Sequence, residues 1–91
     1  MSFEILYHED VVADDIPKLS KEWRVKIENA ITEKLTSHPE VFGKPLRSSL
    51  KGYRKLRVGD WRVIFRIEGN AVKIFAIKHR SVVYDVLKNR L

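Results

Sequence analysis

Cysteine is missing altogether from the 91 residues, methionine occurs once, proline three times and glycine four times. Without thiols there is neither a disulfide framework nor a thiolate metal site, and His8, His38 and His79 are too scattered for ligand spacing. No metal and no small-molecule cofactor is therefore expected. Long apolar runs are lacking as well: none approaches the ~20 residues that span a bilayer. The start, Met1 to His8, has no basic segment leading into an apolar one. These absences point to a soluble, cytoplasmic protein without a membrane partner. No repeat or low-complexity tract breaks the chain, so residues 1–91 read as one domain, and 44% apolar residues suffice for a single small core.

What the chain has in excess is positive charge, unevenly placed. Residues 1–40 hold 5 Lys and Arg against 9 Asp and Glu, whereas residues 41–91 hold 13 against 3. The first part is thus net −4 and the second net +10, giving the overall +6. A field this one-sided favours phosphate-rich partners through counterion release and steering.

The pattern of apolar residues predicts an α+β domain. Phe3 to His8 alternates as a first strand. Val11, Val12, Ile16 and Leu19 have helical spacing interrupted by Pro17, which implies a short helix with a kink or restart. Ser20 suits an N-cap, with Glu22 in the first turn, and Trp23, Ile27, Ala30, Ile31 and Leu35 form an apolar stripe on a helix from Lys21 to Ser37, stopped by Pro39. Residues 38–50 read as a connecting loop. Gly59-Asp60 and Gly69-Asn70 each suit a two-residue turn, so 52–58, 61–68 and 71–78 form an antiparallel meander. Ser81 is the expected cap of a last helix that turns Val83, Leu87 and Leu91 inward. The sum is a four-stranded sheet, mixed at its first strand, packed on two N-terminal helices with a C-terminal helix.

With Gly59-Asp60 as the turn, Arg57 faces Arg62 and Lys55 faces Ile64. Alternation then puts Leu56, Val58, Trp61, Val63, Phe65 and Ile67 on one face and Lys55, Arg57, Arg62 and Arg66 on the other. Like charges directly opposite each other cost a sheet up to about 1 kcal/mol, but the arrangement suits a phosphate clamp. With Gly69-Asn70 as the second turn, Ile64, Phe75 and Ile77 share the cationic face, partly covered by the last helix. Lys78, His79, Arg80 and Tyr84 then fall near the edge of the cationic strip. The competing reading is a solvated face whose arginines lie over Phe75 and Tyr53.

The stretch Leu46…Leu50-Lys-Gly-Tyr-Arg-Lys-Leu-Arg57-Val-Gly-Asp-Trp-Arg62-Val-Ile-Phe, followed by Ile77-Lys-His-Arg80-Ser-Val-Val-Tyr84, closely resembles the RelE/ParE toxin superfamily. Its RelE-like branch comprises toxins of toxin–antitoxin pairs that cut messenger RNA in the ribosomal A site. The resemblance implies an endoribonuclease whose partners are a cognate antitoxin, the ribosome and mRNA. It implies that Lys55, Arg57 and Arg62 bind and polarise the scissile phosphate, that Arg80 or Lys78 takes the leaving-group or clamp position, and that Tyr84 stacks on a base. Arg47, Arg54, Lys78 and His79 are further expected to bind substrate. Crowding by like charges favours a neutral amine, the form in which Lys55 serves as base. Three departures stand out: Tyr53 falls near one of the two hairpin lysines of the best-studied cutters, Lys78 falls near an arginine, and His79 adds a group able to transfer a proton that those members lack. The alternatives are a ParE-like inhibitor of DNA gyrase that cuts nothing, and an inactive relative that binds its antitoxin.

Overall fold

A computed structural model describes residues 2–91. It has strands β1 (Glu4–Tyr7), β2 (Lys44–Pro45), β3 (Arg54–Val58), β4 (Trp61–Glu68) and β5 (Ala71–His79), and helices α1 (Lys21–Ala30), α2 (Pro39–Phe42) and α3 (Val83–Arg90). The strands form one sheet in the order β1-β5-β4-β3-β2, with β1 parallel to β5 and the other pairs antiparallel. The expected α+β class is correct. The sheet has five strands rather than four because Lys44 and Pro45, in the stretch read as loop, pair with Lys55 and Arg54.

Ser20 caps α1 as its position suggests, its hydroxyl oxygen accepting the Trp23 N–H at 3.3 Å. A π-helical turn, Ile31–Leu35, extends α1, and Ile27, Ile31 and Leu35 are buried against Leu56, Val63, Phe65, Val72, Ile74 and Ile77. On the opposite face Val83 and Leu87 of α3 close a smaller core over Ile64 and Ala76. The sheet is therefore the middle of three layers. Leu91 departs from expectation, being 46% exposed, since α3 ends at Arg90 and the last side chain lies beyond the apolar stripe. Ser81 does not cap α3 either: the helix starts after Val82, and the Ser81 hydroxyl sits 2.8 Å from His79 Nδ1. Pro39 begins α2 instead of merely ending the helix before it.

The β3–β4 hairpin has the register its turn dictates: Val58 opposite Trp61, Arg57 opposite Arg62, Leu56 opposite Val63, Lys55 opposite Ile64. Gly59 takes φ +60°, and a Cβ there would come within 2.6 Å of the Trp23 ring, so backbone and packing both demand glycine. The β4–β5 ladder starts equally regularly at Glu68 and Ala71 but slips between Ile64 and Phe65: Phe65 faces Ile74 while Ile64 faces Ala76. Phe75 is the extra residue of this β-bulge. It moves Ile77 off the cationic face, where regular pairing would have put it, into the main core opposite Val63, and sets Lys78 opposite Arg62.

Candidate functional site: a cationic cleft at a sheet edge

Among the described residues β2 pairs with Arg54 and Lys55 alone, so the outer edge of β3 from Leu56 to Val58 has no neighbouring strand there. A cleft of about 250 Å³ opens at this edge, lined by Lys34, Phe42, Lys44, Lys55, Leu56, Arg57 and Arg62. Lys34 and Phe42 come from the helical layer; Arg57 and Arg62 reach it from the other face. Five of the seven lining residues are cationic and none is acidic. Arg62 is held by its own turn, its Nη1 donating to the carbonyls of Gly59 and Trp61, both at 2.9 Å. Neither Lys55, Arg57 nor Arg62 has a carboxylate within salt-bridge distance among the described residues. Such a cluster is electrostatically unfavourable until an anion enters.

The other candidates are distributed around it. Arg80 is mostly exposed at the β3–β4 turn, its N–H donating to Asp60 O at 2.8 Å and its Nε 3.7 Å from Asp60 Oδ1. His79 does not join the cationic face: it pairs with Trp61, edge to face at 5.9 Å, on the side of the sheet opposite Arg62, and Ser81 engages its Nδ1, which leaves Nε2 for a ligand. Tyr84, 41% exposed, lies in the first turn of α3, the helix covering the same sheet face as Lys55, Arg57 and Arg62. Arg47 is exposed just before a 3₁₀ turn, Ser48–Leu50. Arg54 points to the opposite face from Lys55, where its Nη1 donates to Gly43 O at 2.9 Å and Glu40 O at 3.3 Å, satisfying carbonyls at the end of α2. Arg66 is also separate: it donates to Glu68 at 2.9 Å and lies over the rings of Tyr53 and Phe75.

Lys78 does not join the cleft. Its ammonium is 3.0 Å from Asp15 Oδ1 and 3.1 Å from Asp14 Oδ2, with only 15% of the side chain exposed. Asp15, fully buried in a π-helical turn (Val11–Asp15), takes a bidentate pair from Arg90, 2.8 Å to Oδ2 and 3.0 Å to Oδ1, and accepts the Ile77 N–H at 2.9 Å. Arg90 also donates to Phe75 O, the bulged residue, at 3.0 Å. β1 covers β5 only as far as Ile74; beyond it, Asp15 and Arg90 take the place of a strand. Burial works to raise the Asp15 carboxyl, but the bonds from Arg90, the Ile77 N–H and Lys78 hold it below the usual range. Asp14, bonded first by Lys18 and then by Lys78, is lowered to about 2. Burial would depress Lys78, yet Asp15 and Asp14 raise it. This cluster escaped sequence reasoning because its members are far apart in the chain. Lys34, Phe42 and Lys44 were also missed, coming from segments with no motif.

Among the described residues no three His, Asp or Glu side chains gather as metal ligands, and no helix is long and apolar enough to cross a membrane. The family profile described as ParE toxin of type II toxin–antitoxin system, parDE, matches residues 6–84. The chain is 32% identical over 89 residues to Toxin RelE of Mycobacterium tuberculosis, an alignment spanning 92% of each. Among solved structures, the toxin–antitoxin complex RelBE2 of M. tuberculosis is similar with a TM-score of 0.80 and 25% identity, over 89% of this chain and 94% of that one. A mutant Escherichia coli toxin RelE in the free state shares the fold over 100% of both chains, with a TM-score of 0.75 and 16% identity.

Proposed function

The chain belongs to the RelE/ParE family of toxins of type II toxin–antitoxin systems, and we propose that it acts by cutting messenger RNA in the ribosomal A site. The observation that carries this reading is the cleft, with five cations, no carboxylate, and Arg57 set directly against Arg62. A phosphodiester between those side chains relieves a repulsion that no carboxylate among the described residues offsets.

In the step we assign, the ribose 2′-oxygen bonds to the adjacent phosphorus as the bond from phosphorus to the 5′-oxygen breaks. Lys55 takes the 2′-proton, and the departing 5′-oxygen draws one from water, its growing charge offset by Arg80. Arg57 and Arg62 orient the phosphate and offset the negative charge that grows on its oxygens. Tyr84 stacks on a neighbouring base. The products are a 2′,3′-cyclic phosphate and a free 5′-hydroxyl. A cognate antitoxin with an acidic or amphipathic segment would silence the protein by covering the basic face or displacing α3.

Purified protein incubated with programmed ribosomes, followed by primer extension, should reveal new 5′ ends inside the A-site codon. Intact message while translation stalls would refute the proposal. The ParE profile supports a second reading, inhibition of DNA gyrase without cleavage; expression would then cause DNA damage and filamentation before protein synthesis falls.

A further inference from the structure

The cleft holds more charge than one phosphate uses. Arg57 and Arg62, with Lys55, account for the scissile group, yet Lys34 and Lys44 line the same space from the helical layer and from β2. Lys34 Nζ lies 5.7 Å from the centre of the Phe42 ring, and Phe42 is 43% exposed although it is a large apolar side chain. A cation beside an exposed aromatic face, continuous with a row of further cations, is the combination that grips single-stranded nucleic acid: charge for the backbone, a flat ring for the base or sugar. The uncovered edge of β3 leaves the path between the two groups open.

The geometry points to a second phosphate subsite, resting on the ribonuclease reading above, in which Lys34 and Lys44 hold the phosphate next to the scissile one and Phe42 packs against the intervening nucleotide. The RNA strand crosses the edge of β3, and these three residues set affinity and register without touching the reacting atoms. Nothing acidic lines the cleft to compete for the lysines.

The test uses the full chain in two assays, with thermal melting to show that each variant is folded. In the first, fluorescence anisotropy follows a labelled 2′-O-methyl hexaribonucleotide, which cannot be cut, across a salt series. For the K34Q/K44Q double variant, affinity should fall about tenfold, and the slope of log affinity on log salt should shrink by roughly 0.7 for each phosphate that is no longer neutralised. Phe42→Ala should weaken binding while leaving that slope unchanged. In the second, cleavage on programmed ribosomes should show KM rising in the double variant with kcat within about threefold of the parent. Parent-like KM and salt slope in the double variant, with cleavage intact, would overturn the subsite and leave the nuclease reading standing. An oligonucleotide that binds with the expected salt losses, on a protein that never cuts, would support the subsite and remove the nuclease. Unchanged RNA binding combined with a weakened hold on the purified antitoxin would overturn it in favour of an acidic peptide.

Discussion

Both outer strands of the sheet are too short to cover their neighbours, and the two gaps are handled in opposite ways. At β5, where β1 stops opposite Ile74, Asp15 and Arg90 complete the edge, and Lys78 and Arg90 are neutralised by carboxylates. At β3, where β2 stops, Lys55, Arg57 and Arg62 meet Lys34 and Lys44 with no acid among them. Lys78 and Arg90, with carboxylate partners, serve the fold; on the reading proposed above, the cations of the cleft serve an anion from outside the chain. Lys78 and Arg62 make the point sharply, because they are neighbours in the β4–β5 ladder yet fall on different sides of this division.

The most severe way to break the contrast is to remove the carboxylate. Asp15→Ala takes the bidentate partner from Arg90, leaves Lys78 with Asp14 alone and the Ile77 N–H without an acceptor, and should cost about 3–5 kcal/mol in urea unfolding, as buried pairs do when one partner is lost. Acid should do the same more gradually. Asp14 and Asp15 have folded values below their unfolded ones, so their contribution is complete above about pH 4 and is lost as pH falls through the folded values, that of Asp14 being about 2. Urea midpoints should drop steeply over that window, and an Asp15→Asn variant should show a shallower drop. Lys78 has the reverse sign: raised above its usual 10.5, it adds stability below that pH, lost as pH climbs through the higher folded value.

Arg57→Ala tests the other edge. Cleavage should fall by about 10²–10³-fold, while stability stays level or rises by up to about 1 kcal/mol because the facing pair with Arg62 is gone. A destabilised Arg57→Ala protein would erase the distinction between the two edges. The smallest effect belongs to Arg54→Ala, which removes bonds to the carbonyls of Glu40 and Gly43 and should cost roughly 1 kcal/mol, with cleavage per folded molecule near that of the parent.

How much of this could be read beforehand depended on how local the cause was. The β3–β4 register follows from two residues, Gly59 and Asp60, since turn length fixes which residues face each other. Ser20 and the stripe from Trp23 to Leu35 are local in the same sense. The second half of β5 was not legible, because nothing near Phe75 announces a bulge; its carbonyl is held by Arg90 and the Ile77 N–H by Asp15, residues distant in sequence. Lys78 shows the cost for the site. Its charge counts towards the basic half of the chain, but its ammonium is bound by acids from the other half.

The open margin of β3 has one more consequence. An unpaired strand invites a second copy to add itself there, and closely spaced positive charges are among the devices that forbid it. Arg57, on the open stretch itself, with Lys55 and Arg62 beside it, would thus act against self-association while the cleft is empty. Stripping them to inactivate the protein should also make concentrated samples oligomerise through that margin.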